Sequence, residues 1–210
     1  MPKIVNPEQR RTEIIHGLWA VIYERGIHAV TYQAVAQAAG VSVGRIQHYF
    51  DSKQDLVHAG CRAMVEGAAE AHEQRTDALE PLAALTELLI QPIPRSDAFR
   101  LGSAVWYAYL AQTVADPQIA EIIGGASRET FEYAASLLRS AGAPAPAHEA
   151  ARLVALSNGL AQSVLIGALS PDRATETLRN EIASLRAAVN STDAGAGRSA
   201  PSARTSSAQE

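Results

Sequence analysis

A chain of 210 residues, 47% hydrophobic and 19% charged, has the composition of a soluble globular protein, with room for one large domain or two small ones. No apolar run reaches the roughly eighteen residues of a membrane span, the opening MPKIVNPEQRR lacks the apolar stretch of a secretory signal, and the single Cys61 excludes an internal disulfide, so a cytoplasmic location without membrane contact is expected. Of the formal net charge of −4, residues 1–60 contribute +1 (Lys3, Arg10, Arg11, Arg25, Arg45 and Lys53 against Glu8, Glu13, Glu24, Asp51 and Asp55) and the remainder −5, so binding to a polyanion has to rest on a few placed cations and helix N-termini.

Residues 1–6 read as a short arm carrying Lys3. Asn6-Pro7 is a cap followed by a first-turn proline, with Gln9 placed to reach back. The helix they open is expected to run to about Arg25, burying Ile14, Leu18, Val21 and Ile22 with Trp19 at the edge, and to end at Gly26.

The stretch TYQAVAQAAGVSVGRIQHYFDSKQDL, Thr31 to Leu56, reads as two short helices joined by a tight turn and followed at once by a third. Thr31 is the first N-cap; Val35, Ala36 and Ala39 share one face; Gly40 supplies the turn and Val41 an apolar plug. Ser42 caps a second helix that carries Gly44, Arg45, Gln47 and His48 outward and Ile46 and Phe50 inward. Ser52 and Asp55 form a Ser-x-x-Asp capping box for the third. This is the pattern of a helix-turn-helix, and its outer face has the chemistry of a major-groove reader. Arg45 can donate twice to guanine, Gln47 can pair with an adenine edge or a phosphate, and His48 and Tyr49 can donate to phosphate oxygens. Lys53 stands in a first turn, where a helix dipole favours an acid; a neighbouring phosphate would explain a cation there. The DNA-contacting set expected from this unit is Thr31, Tyr32, Ser42, Val43, Gly44, Arg45, Gln47, His48, Tyr49 and Lys53.

Residues 10–57 resemble the DNA-binding domain of the TetR/AcrR family of bacterial transcriptional regulators. The resemblance is carried by Thr31, Val35-Ala36, Ala39-Gly40-Val41-Ser42, Gly44, Tyr49-Phe50, Ser52-Lys53 and Asp55-Leu56. Many members have tyrosine where this chain has Gln47. The resemblance implies that the first helix presents Arg10 and Arg11 toward the phosphate backbone, and that a C-terminal helical domain follows which dimerises and holds a small-molecule pocket.

The fourth helix is expected from Lys53 to about Arg75; its His58 and His72 are fourteen positions apart with no matching ligand cluster, so no metal site is expected. Pro81 opens a helix with Leu82, Leu85, Leu88 and Leu89, broken by Gln91-Pro92-Ile93-Pro94. Residues 97–115 form another, bearing Phe99, Trp106, Tyr107 and Tyr109. Asp116-Pro117 caps the next, which runs to about Ala141, buries Ile119, Ile122, Ile123, Phe131, Leu137 and Leu138, and has Gly124-Gly125 as a potential kink. Gly142 to Ala147, GAPAPA, reads as a loop. Residues 148–169 are apolar on nearly every face and call for cover on both sides. Ser170-Pro171 caps a last helix with the stripe Ala174, Leu178, Ile182, Leu185 and Val189.

The expected architecture is all-α, with about nine helices: an N-terminal three-helix helix-turn-helix domain at 1–52, an antiparallel helical ligand-binding and dimerisation domain at 53–190, and a disordered tail rich in small and polar residues at 191–210. The two last long helices suggest a two-fold homodimer, hence a palindromic double-stranded DNA operator. Polar or aromatic residues within the apolar helices, Trp106, Tyr109, Gln112, Tyr133, Asn158 and Gln162, are the candidates for contact with an unidentified small-molecule effector. No cofactor is expected, nor catalysis, for the chain carries no triad, paired-carboxylate motif, phosphate loop or metal spacing. The reading is a repressor released by its ligand. The alternative, a helical carrier or enzyme using the C-terminal pocket, leaves Thr31, Gly44 and Lys53 at these offsets without a purpose.

Overall fold

A computed structural model describes residues 6–76 and 78–196, with side chains to Ala187. Nine α-helices and no strand occur among them: α1 (Pro7–Arg25), α2 (Tyr32–Ala39), α3 (Val43–Tyr49), α4 (Lys53–Thr76), α5 (Pro81–Ile90), α6 (Asp97–Gln112), α7 (Pro117–Ser140), α8 (Pro146–Leu165) and α9 (Pro171–Ala196), with one 3-10 turn at Ile27–Ala29. None of the described helices is long and apolar enough to cross a membrane.

Local chemistry sets most boundaries. Asn6 Oδ1 accepts from the Glu8 N–H at 3.1 Å, and Pro7 opens α1. Gly26, at φ 80°, ends it in a conformation that side chains avoid. The α6–α7 turn closes on Asp116, whose Oδ1 accepts from the N–H groups of Gln118 and Ile119. Ser170 Oγ accepts from Arg173 N at the head of α9.

The chain packs around two apolar clusters whose division does not fall at a domain boundary in the sequence. The first joins α1, α2, α3 and the first turns of α4 to Val105 and Tyr109 of α6 and to Ile119 and Ile123 of α7. The second is built from α5, the far end of α7, α8 and α9, with Leu85, Leu89, Leu138, Leu153 and Leu178 at its centre. Each such fully buried aliphatic side chain contributes about 1.5–3 kcal/mol over its exposed state. Helix α7 therefore belongs to both clusters: its first turns pack on the end that carries α2 and α3, its last turns on the bundle.

Several expectations need correction. Phe131 is exposed rather than buried, since it lies off the stripe that Ile119, Ile123, Ala134 and Leu138 turn inward. The GAPAPA loop is shorter than expected: Pro146 is the first residue of α8, where its missing N–H costs nothing, and Ala145 takes the left-handed turn before it at φ 49°. Helix α6 ends at Gln112, three positions before the expected residue 115. Helix α9 continues to Ala196, past the expected tail boundary at Asn190. Asp55 completes its capping box one residue early, accepting from Asp51 N at 3.3 Å while Ser52 Oγ accepts from Asp55 N at 2.9 Å. Helix α8 is covered on one face only: Ala150, Leu153, Val154, Ser157, Ala161 and Val164 are buried, while Ala151, Ala155, Asn158, Gly159 and Gln162 are open to solvent. Lys3, the side chain of Val189 and the tail from residue 197 lie outside the described residues.

Candidate nucleic-acid interface

The α2–turn–α3 unit is assembled by side-chain caps. Thr31 Oγ1 accepts from Ala34 N at 3.1 Å and starts α2. Gly40, left-handed at φ 64°, ends it, with the Val41 N–H returning to the Ala36 carbonyl at 3.0 Å. Ser42 Oγ accepts from Arg45 N at 3.2 Å and starts α3. Ile46 is fully buried and Phe50, the extended residue that closes α3, nearly so. With one face anchored in this way, Gly44, Arg45, Gln47 and His48 all point to solvent, and Val43 and Tyr49 are half-buried at the edges.

Gly44 is not required by tertiary packing: a Cβ there would meet no atom beyond its own stretch of helix within 4 Å, as is also so at Gly67, Gly102 and Gly159. Two other glycines differ. A Cβ on Gly17 would lie 2.7 Å from that of Ala39, so α1 and α2 cross at that point in close contact. A Cβ on Gly60 would collide with Leu18 and lie 2.7 Å from the Tyr109 hydroxyl. Neither Gly17 nor Gly60 carries a local sequence signal, because the clashing partner is on another helix.

The cations around α3 divide into two kinds. Arg45 and Lys53 are exposed and make no ion pair among the described residues. Arg10 pairs with Glu13, and the Arg11 guanidinium lies over the Phe50 ring at 5.2 Å, so both are engaged with the protein itself. Tyr32, half-buried, directs its hydroxyl to the Phe50 carbonyl at 3.4 Å; burial first, then the charges of Asp55 and Asp51, raises its pKa, which keeps it a neutral donor.

The six residues expected to touch an effector are spread over the first apolar cluster, the outside of α7, the open face of α8 and the edge of a cleft. Tyr109 is fully buried, and its hydroxyl donates to the Val57 carbonyl at 3.1 Å, so it joins α6 to α4. Trp106 is half-buried against the first cluster. Tyr133 is on the outside of α7, edge-on to His72 with ring centres 5.5 Å apart. Asn158 and Gln162 lie on the open face of α8, where the Asn158 carbonyl accepts from Tyr107 Oη at 2.9 Å. One surface cleft of about 620 Å³ runs along the head of α9, between Arg95 and Thr175, Glu176 and Arg179. A second, of about 270 Å³, opens between Ile27, Lys53, Gln54, Val57, Gln112 and Asp116; Gln112 alone of the six lines either.

Two further features escaped the sequence reading. Asp116, expected only as a cap, also contacts His58 Nε2 through its second oxygen at 2.7 Å. His72 is buried, with neither ring nitrogen paired among the described residues, and desolvation, then the nearby Arg75 charge, lowers its pKa against the weaker pull of Glu87. Cys61 is fully buried, its thiol pushed up to about 12 chiefly by burial, which makes it an inert core residue.

Residues 14–59 match the profile of bacterial regulatory proteins of the tetR family, and residues 81–187 that of the C-terminal domain of BetI-type transcriptional repressors. The chain is 32% identical over 122 residues to the HTH-type transcriptional regulator BetI of Serratia proteamaculans, covering 57% of this chain and 62% of that protein. It is 28% identical over 112 residues to the regulator PksA of Bacillus subtilis, covering 53% and 55%. The match thus spans little more than half the length of these curated relatives. Among solved structures, a Saccharomonospora viridis transcriptional regulator in complex with choline superimposes with a TM-score of 0.77 over 83% of this chain and 96% of that one, at 24% identity. A transcriptional regulator from Rhodococcus sp. Rha1 does so with a TM-score of 0.76 over 83% and 95%, also at 24% identity. At that identity the likeness concerns the fold.

Proposed function

Since this chain belongs to the TetR family of bacterial regulatory proteins, we propose that it acts in the cytoplasm as a homodimeric repressor, released from a palindromic DNA operator by a small-molecule effector. The observation that carries the DNA-binding reading is the outer face of α3. Gly44, Arg45, Gln47 and His48 stand together in solvent on a helix anchored by Ile46, and no neighbouring element crowds Gly44. A helix without a side chain at that point can approach a duplex closely, with Arg45 directed at base edges and Lys53 at a phosphate. Thr31, Tyr32, Ser42, Val43 and Tyr49 frame that surface and complete the proposed contact set.

The open face of α8 supports the dimer. Ala151, Ala155 and Gly159 recur along it at four-residue spacing, a strip over which a second copy can pack closely. Two recognition helices then read half-sites about 34–36 Å apart, or a larger multiple of one turn. Repression is supported by the match of the C-terminal half to BetI-type repressors, and the choline bound by the Saccharomonospora protein makes choline the first effector to try. Residues 1–52 would serve for reading DNA and 53–190 for effector binding and dimerisation, although the first apolar cluster extends across that division.

Selection of random duplex DNA by the purified chain at fixed, moderate salt tests the proposal. The expected product is a palindromic motif that the protein occupies as a dimer and leaves when effector is added. Binding without a motif, or none, overturns it.

A further inference from the structure

The head of α4 is held by polar contacts from three other helices. Asp116 at the start of α7 sends Oδ2 to His58 Nε2 at 2.7 Å and accepts from Gln54 Nε2 at 3.4 Å, while its Oδ1 caps α7. The His58 and Asp116 side chains are 7% and 17% exposed, with Asp116 at the edge of the smaller cleft. Burial opposes the charge on Asp116, but the hydrogen bond from His58, the Ile119 N–H, the charge of His58 and the Gln54 amide together outweigh it and hold the carboxyl below its ordinary range. Tyr109 donates to the carbonyl of Val57, the residue before His58. From α1, Trp19 Nε1 donates to the Gly60 carbonyl at 3.1 Å. The same two turns of α4 begin with the exposed Lys53 and follow directly from α3.

Helix α7 spans both apolar clusters and so ties the bundle of α5, α8 and α9 to the end that carries α2 and α3. At that end the polar connection of α7 to α4 is Asp116. We propose that the His58–Asp116 contact is a clasp that transmits the position of α7 to α4, and through it sets the angle at which α3 is presented to DNA. His58 and Asp116 are positioning residues that touch no DNA themselves. The proposal rests on the DNA-binding reading above.

The test separates capping from clasping. Asp116→Ser keeps a good N-cap for α7 but is too short to reach His58. His58→Phe removes the contact without touching the cap, and His58→Gln retains a donor on a side chain of similar reach. All three are made in the full chain and measured for affinity to the selected operator at fixed salt, together with the thermal midpoint. The clasp predicts that Asp116→Ser and His58→Phe weaken operator binding by about five- to 150-fold, the usual range for coupling between sites, and that His58→Gln restores most of it. The double variant Asp116→Ser/His58→Phe should lose no more than either single one. Affinities equal to the unmodified chain's, or losses that follow the thermal midpoint and are not rescued by glutamine, overturn the clasp. Failure of the unmodified chain to bind any motif would instead remove the DNA-binding reading itself.

Discussion

Gly17 of α1 and Ala39 of α2 touch where their helices cross: a Cβ on Gly17 would lie 2.7 Å from the Ala39 Cβ and 2.9 Å from its backbone nitrogen. Backbone cannot retreat as a long side chain can. Gly17→Ala should therefore force the helices apart and destabilise the chain by about 1–3 kcal/mol despite alanine's better helix propensity. Each kcal/mol lowers the thermal midpoint of a protein this size by about 2–4 °C, so calorimetry reads the effect directly. An unchanged midpoint would show that the crossing adjusts freely.

Gly44→Ala should do the reverse. Its Cβ meets no neighbouring element, and replacing glycine in the first turn of α3 contributes at most the roughly 0.5–1 kcal/mol seen in a helix interior. The variant is expected to melt higher than the parent and to bind its operator less well, because the added methyl group stands where the duplex must approach. Gain of stability together with undiminished DNA binding would contradict the proposed orientation of α3.

Arg45 and Lys53 should fail in different ways. Arg45→Ala is expected to cost about 1–3 kcal/mol on the selected operator and to relax preference at one base position. Lys53→Ala should weaken every duplex about equally and reduce the slope of log affinity against log salt by about one. Titrations at several salt concentrations, on operator and scrambled DNA, distinguish them.

His72 should make the fold sensitive to mild acid. Its folded pKa lies below the ordinary histidine value, principally through desolvation, so the unfolded chain takes up the proton first. Stability is then full above about pH 6.5, the ordinary value, and declines as pH falls from there toward the folded pKa. His72→Leu removes both this slope and two unpaired buried nitrogens. It should flatten the denaturation midpoint between about pH 7 and 5 and raise it at the acid end. A slope retained in the variant would assign the acid sensitivity to another group.

The sequence by itself determined the helical class, most of the helix starts and the local form of the α2–α3 unit, while the ends of α6, α8 and α9 fell elsewhere than expected. Those features are set by groups a few residues apart: Thr31 with Ala34, Gly40 with Ala36, Ser42 with Arg45 and Ser52 with Asp55. Where expectation missed locally, as at Pro146 and Phe131, the choice lay between neighbouring faces or turns of a helix already recognised. What only the tertiary structure decided concerns partners distant in the chain. His58 meets Asp116 across 58 positions, Tyr109 meets Val57 across 52, and Gly17 and Gly60 are small because another helix occupies the space. The residues named for an effector share a property, polarity or aromaticity in an apolar helix, but that property does not encode a common destination. Tyr109 went into the core, Tyr133 and Asn158 to the surface, and Gln112 to a cleft, because helix packing sets where each side chain ends.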